Sequence, residues 1–250
     1  MTTPLSASLR AAFAPTGVLR ASINLGNPIL AHRSKVDPEA SGTPVGVSVD
    51  LAREFARRLG VDLELVVFDK ATQSVDAVRN EQADIGFFAI DPARSEGLRF
   101  TAPYVLIEGS YLVSQGAALH DNAEIDRADT RIAAGSGSAY DLFLTRELKH
   151  ARIERVLHAP DVLAALKAGR VEVAAGIRQL LEEWATQDPT LRLLPGRFMV
   201  IQQAMGTPAS RGDAAQAALA AFVEEMKRSG MVADALRHHG IQGAIVAPPV

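Results

Sequence analysis

The chain has 250 residues, of which 48% are hydrophobic and 22% charged, and its formal net charge is −3. That balance supplies a sizeable core and excludes a disordered chain, and it gives no basic footprint for nucleic acid or an acidic membrane surface. It has no cysteines, which excludes disulfides, thiolate metal sites and a cysteine nucleophile, and no apolar run approaches the roughly 20 residues of a membrane span.

The first 15 residues, with Arg10 interrupting a mixed segment, lack the basic start of a secretory leader and read as an amphipathic helix. This leaves two readings, a chain that stays in the cytoplasm or one whose leader has been removed. Pro15 to Ile23 reads as a turn and a first strand, ended by Asn27-Pro28. Residues 32–45 are rich in Ser, Pro, Gly and charge, and predict a loop or loose hairpin. From Val49 the apolar positions 51, 52, 55, 56 and 59 recur at helical spacing, with Ser48 or Asp50 as cap and Gly60 at the left-handed end. Val61, Leu63, Leu65 and Val67 alternate with Asp62 and Glu64, the pattern of a half-buried strand. Thr72 to Gln82 reads as helical, and the wholly apolar Ile85 to Ile90 as a buried strand of a parallel sheet.

Residues 115–130 are polar and suit a linker. Beyond them come a strand at Arg131–Gly135, a helix from about Ala139 to His150, and a strand at Ile153–Leu157. A helix at Pro160–Ala168, a buried strand at Val171–Gly176 and a helix at Ile177–Gln187 follow. A strand at Phe198–Met205 leads to helices near 212–229 and 231–239, with a surface tail from Ile241. One internal echo stands out: Ala77–Gly86 lines up with Ala165–Ala174, a helix ending in a basic residue, a short turn, an acid and a buried strand. Alternating strands and helices predict an α/β fold with largely parallel sheets, whose ligands bind beyond the carboxyl ends of the strands.

Those ends hold the candidate chemistry. At Ala89-Ile-Asp91-Pro92-Ala93-Arg94, Asp91 caps a short turn with Pro92 at its first position, which leaves Arg94 just past a buried strand. Its planar guanidinium either holds a carboxylate by two parallel hydrogen bonds or serves a surface salt bridge. Gly135-Ser136-Gly137-Ser138 joins a strand to a helix, either as an anion cradle or as an ordinary cap. It lacks the full dinucleotide and Walker spacings. Histidines 32, 120, 150, 158, 238 and 239 show no metal-binding spacing and read as solvent-facing. Glu182-Glu183 reads as a solvated helix face. No cofactor or metal is expected.

Taken with Gly46–Ala52, Leu59–Val61, Ala83–Ile85, Asp91–Arg94, Phe100–Tyr104, Ile132–Ser138, Ala165–Val173 and Met226–Gly230, the chain resembles the family 3 solute-binding proteins, the amino-acid-type receptors of ABC importers. The resemblance implies a two-lobed α/β fold of the type II periplasmic-binding-protein class, mainly parallel sheets flanked by helices. Residues 1–113 plus 206–250 would form one lobe and 117–203 the other, with crossovers near 113–116 and 203–206. It implies a monomer that closes on a small carboxylate-bearing ligand in the periplasm and meets the membrane subunits of an ABC transporter. Arg94 would grip the carboxylate, and Ser138, with Gly137 and Ser136, would assist.

Departures from the family pattern carry their own expectations. Asn27-Pro28-Ile29-Leu30 stands where an aromatic is usual, and Phe88 and Ala89 stand where hydroxyl residues precede the arginine, so that Phe87 or Phe88 either supplies replacement apolar surface to the ligand or is plain core. The aspartate that normally meets the ligand's ammonium falls on Ile177, next to Arg178. The resulting expectation is a small organic carboxylate with two acidic groups, held by Arg94 and Arg178. Glu108 either faces the cleft or forms a hinge-stabilising ion pair. Two rival readings remain, a cyclohexadienyl dehydratase-like enzyme that uses Glu108 as its acid, and a cytoplasmic ligand sensor.

Overall fold

Residues 6–34 and 42–250 are described by a computed structural model, and they form two compact units. Residues 35–41, in the middle of the expected loop at 32–45, lie outside the described residues. Unit 1 combines Met1–Leu106 with Gln202–Val250, and unit 2 is the continuous stretch Ile107–Ile201. The chain passes from one to the other inside the strand Val105–Ser114 and back inside the strand Met199–Pro208. The change of unit falls at 106–107 and 201–202, a few residues before the crossovers expected near 113–116 and 203–206.

In unit 1 the strand Val18–Asn24 pairs in parallel with Asp62–Phe68 along its whole length and with Ile85–Ala89 on its other side. The returning strand Met199–Pro208 runs antiparallel to Ile85–Ala89 and to Leu98–Phe100. Every residue of Ile85–Ala89 is buried, as a strand covered on both faces requires. Ile90 is not part of it and is exposed. Helix Val47–Leu59 begins two residues earlier than its apolar spacing suggests, and neither Ser48 nor Asp50 caps it. The cause is Gly46, whose φ of 131° suits glycine; a Cβ there would meet the Leu30 carbonyl oxygen at 2.4 Å. At the other end Gly60 does adopt the left-handed conformation, at φ 66°. Phe55 on this helix meets Phe13 of helix Ala7–Phe13 and Phe222 of helix Gly212–Arg228, with ring centroids 4.9 and 4.8 Å away. Fully burying each such ring contributes about 1.5–3 kcal/mol.

The outer face of helix Val47–Leu59 carries a chain of charges. Glu54 accepts from Arg57 Nε at 2.7 Å and from Arg58 Nε at 2.8 Å, and Arg58 Nη1 reaches Glu225 at 2.6 Å. The hydrogen bond from Arg57, followed by that from Arg58, holds the Glu54 carboxyl at about 2, against its usual 4.5. A carboxyl depressed in the folded state stabilises above its unfolded pKa, and that contribution is lost as pH falls through the folded value. Thermal melts between about pH 5 and pH 2 should therefore show Glu54→Gln losing less stability than the parent, by about 1 kcal/mol for a pair open to solvent.

In unit 2, Arg131–Gly135 lies between two parallel neighbours, Val173–Ile177 and Arg152–Val156. Val105–Ser114 runs antiparallel to Val173–Ile177, and Leu191–Leu193, a strand the sequence pattern did not reveal, adds antiparallel to Val105–Ser114. Both faces are covered: Tyr111, Ile132, Ala134, Val173 and Ala175 join one core, and Leu112, Ala133, Ala174, Val162 and Leu181 the other. The presumed linker 115–130 is instead folded onto this unit. Asp121 and Glu124 form a capping box around the turn Asn122–Glu124, Ile125 is buried, and Asp126 accepts the N–H groups of Lys149, His150 and Ala151.

The internal echo is structural. In unit 1, Arg20 donates its backbone N–H and its guanidinium to Asp84, and reaches the Glu81 carbonyl. In unit 2, Arg131 does the same with Glu172 and the Gly169 carbonyl. Glu81 and Gly169 hold equivalent turn positions, and both are left-handed, at φ 57° and 66°. The tail lies at the surface as expected, and it is pinned there: Ile245–Val246 pairs with Val105–Leu106, Ala247 is buried, and Lys227 Nζ donates to the Pro248 carbonyl at 3.0 Å.

Candidate functional site

In unit 1 the carboxyl ends of the parallel neighbours Val18–Asn24 and Ile85–Ala89 come together, and they bring Asn27, Ala89 and Arg94 to one edge of the sheet. Asp91 caps the turn Pro92–Arg94 by accepting from Ala93 N at 2.9 Å, and Arg94 N donates to the Asp91 carbonyl at 3.0 Å. This lays the arginine back against the strand end, 6% exposed, with Nη1 3.4 Å from the Ala89 carbonyl. It is therefore not a surface arginine. Burial pushes its pKa below the ordinary value, and Asp91 pulls it back up. A guanidinium stripped of water at a strand end is well suited to an incoming carboxylate, which restores the lost solvation by a charge-assisted fork. Asn27 accepts from the N–H groups of Leu30 and Ala31 through its carbonyl, while its side-chain Oδ1 is buried with no hydrogen-bond partner among the described residues.

Phe88 does not lie at this edge. Its ring fills the core with Val75, Val78, Ala83 and Leu98 and stands edge-on to Phe100, so it corrects the expectation of a ligand contact. Gly86 and Gly206 leave the space it occupies, since a Cβ on either would approach its ring to 2.2 or 3.1 Å.

In unit 2 the Gly-Ser turn takes a form its sequence left open. Ser138 caps helix Ala139–Glu147 by accepting from Asp141 N at 3.1 Å, and it also hydrogen-bonds Tyr140. Gly137, at φ 69°, donates its N–H to Asp141 Oδ2 at 2.8 Å. Asp141 is itself buried, paired with Arg155 at 3.0 Å and bonded by Thr145. The turn thus carries an anion of its own, and only Ser136 is exposed at its tip.

Arg178 opens the helix Arg178–Gln187 with each guanidinium nitrogen close to an oxygen, Nε by ion pairing alone. Nε lies 2.6 Å from Glu108, Nη1 3.3 Å from Glu182, and Nη2 meets the Gly196 carbonyl. A second ligand carboxylate on Arg178 would have to displace Glu108. Glu108 in turn accepts from Arg197 at 2.6 Å. Arg197 first, and Arg178 with it, hold its carboxyl below the usual range. That is the wrong direction for a residue that must donate a proton. Among the described residues no group of three or more histidines and acids is placed to hold a metal ion. The histidines are not all solvent-facing: His239 Nε2 lies 2.7 Å from Asp50, against the ring edges of His32 and His238. No helix among the described residues is long and apolar enough to cross a membrane.

Two polar residues escaped the sequence reading, Ser110 in an apolar strand and Gln179 just past a strand end. The signal that singles them out is burial without partners, which spacing does not reveal.

Comparison with known proteins places the fold. The chain is similar to the amino acid ABC transporter substrate-binding protein AbpA from Streptococcus pneumoniae, solved with L-arginine, with a TM-score of 0.76 and 18% identity over 91% of this chain and 96% of that one. It is similar also to the ancestral amino acid-binding protein AncCDT-1, a precursor of cyclohexadienyl dehydratase, with a TM-score of 0.73 and 18% identity over 92% and 98%. Among curated proteins it is 26% identical over 205 residues to the membrane-bound lytic murein transglycosylase F of Idiomarina loihiensis, an alignment that covers 78% of this chain. The chain spans 44% of that relative's length. The family model of the bacterial extracellular solute-binding proteins, family 3, matches residues 35–240. The chain belongs to the bacterial extracellular solute-binding proteins, family 3.

Proposed function

We propose that this protein is a non-catalytic receptor that captures a small carboxylate-bearing molecule, amino acid-like or organic acid, outside the cytoplasmic membrane for an ABC importer. The observation that carries the reading is Arg94: a guanidinium 6% exposed, laid against the carboxyl end of a buried strand by its own capped turn. Family membership supports the receptor role and the extracytoplasmic location, and the solved structures it resembles are described as amino acid-binding proteins. On this reading Arg94 anchors the carboxylate, with the Ala89 carbonyl and Asn27 at the same sheet edge. Glu108 and Arg178 position each other and the loop that carries Gly196 and Arg197.

The dehydratase reading draws on the likeness to AncCDT-1. Against it stands Glu108, which two arginines hold as a carboxylate. The test is calorimetric titration of the protein with the common amino acids and with small mono- and dicarboxylates, alongside incubation with prephenate. Saturable heat with at least one of these acids and no phenylpyruvate is the expected result. Release of phenylpyruvate would overturn the non-catalytic reading, and silence across the whole panel would overturn the carboxylate.

A further inference from the structure

Gln179 is the second residue of the helix Arg178–Gln187, two positions past the carboxyl end of Val173–Ile177. Both polar atoms of its carboxamide are shut away from solvent, and neither has a hydrogen-bond partner among the described residues. Ser110 repeats the pattern close by. It is 1% exposed, and its Oγ has no partner among the described residues. Ser110 stands opposite Gly176 in the antiparallel pair of Val105–Ser114 with Val173–Ile177. Opposed residues share a sheet face. The helix covers this one, because a Cβ on Gly176 would meet the Leu181 side chain at 3.1 Å. Two orphaned polar side chains therefore sit at one end of one strand, where α/β sheets bind their ligands. Buried donors and acceptors left without partners are a standing cost to the fold, and that cost is recovered when a partner arrives.

We propose that Gln179 and Ser110 form a neutral polar subsite of unit 2 that takes a small molecule through a hydroxyl or carboxamide. It goes beyond the carboxylate reading above, and it selects an uncharged group that both donates and accepts. An ammonium only donates and a carboxylate only accepts, so neither satisfies both atoms of an amide. The nearby acids offer an ammonium no free partner: Glu108 is held by Arg178 and Arg197, and Asp141 by Gly137 and Arg155.

The test is calorimetry on two matched pairs, lactate against propionate and glutaramate against glutarate. The hydroxyl or amide member of at least one pair should bind about tenfold tighter or more than its partner. Gln179→Leu should erase that difference, with the melting temperature of the free protein unchanged or higher. Ser110→Ala, a smaller change, should narrow it in the same direction and guards against a misfolded first variant. Equal affinity within both pairs overturns the subsite. So does a preference that survives both substitutions, which would assign the orphaned atoms to bound water, and so does the absence of binding by any of the four acids.

Discussion

Asp84→Ala should lower the unfolding free energy by about 3–5 kcal/mol, the cost of removing one partner from a buried ion pair. Asp84 is fully buried, and it accepts from the Arg20 backbone and guanidinium and from Arg211 at 3.0 Å. Its removal strands two guanidinium groups and an N–H at the base of the strand Val18–Asn24. A melting temperature reduced by roughly 10 °C is the corresponding signature for a chain of this size. The informative control lies in unit 2. Glu172→Ala breaks the same clamp, with the same Arg131 contacts, but Glu172 is 39% exposed on its side chain, and solvent takes over the loss. About 1 kcal/mol or less is expected there. Equal effects of the two substitutions in thermal or urea unfolding would show that burial is not what sets the strength of this motif.

Arg94→Ala should weaken binding of the cognate acid by about 2–5 kcal/mol, which is roughly 30-fold to several thousand-fold. Arg94→Lys keeps the charge but loses the planar fork, and should recover only part of that loss. Stability should behave in the opposite way. Burial acts against the guanidinium's charge while Asp91 and the Ala89 carbonyl favour it, so Arg94→Met should change the ligand-free stability only slightly. Calorimetry for the first effect and ligand-free thermal melts for the second separate an anchor from a structural arginine. A large drop in melting temperature with unchanged affinity would assign Arg94 to the fold alone.

Much of the architecture was legible because it depends on local pattern. The alternation in Asp62–Phe68, the wholly apolar Ile85–Ala89 and the glycine at 60 each dictate an element without reference to the rest of the chain. Arg94 was legible for the same reason, since Asp91, Pro92 and the preceding strand fix its turn within six residues. What escaped depended on partners far along the chain. Helix Val47–Leu59 starts at Gly46 because of the Leu30 carbonyl, and Phe88 became core because Gly86 and Gly206 leave room for its ring. Arg178 looked available until Glu108, 70 positions earlier in the sequence, was placed beside it. Gln179 and Ser110 were illegible in a stronger sense, because the lack of a partner has no sequence signature.

The pairing of Ile245–Val246 with Val105–Leu106 bears on the order in which the protein is made. Chains emerge from the ribosome N-terminus first, and domains fold as units once complete. Unit 2 is complete when Ile201 has emerged, whereas unit 1 still lacks most of the returning strand, two helices and the segment that seals Val105–Leu106. The contiguous unit therefore has the first opportunity to fold, while the interrupted one waits with an unpaired strand edge, the feature that invites wrong partners. Nascent chains whose residues up to 201 have left the ribosome should protect unit 2 from proteolysis, and protection of Val18–Asn24 and its neighbours should lag until Ile245–Val246 have emerged.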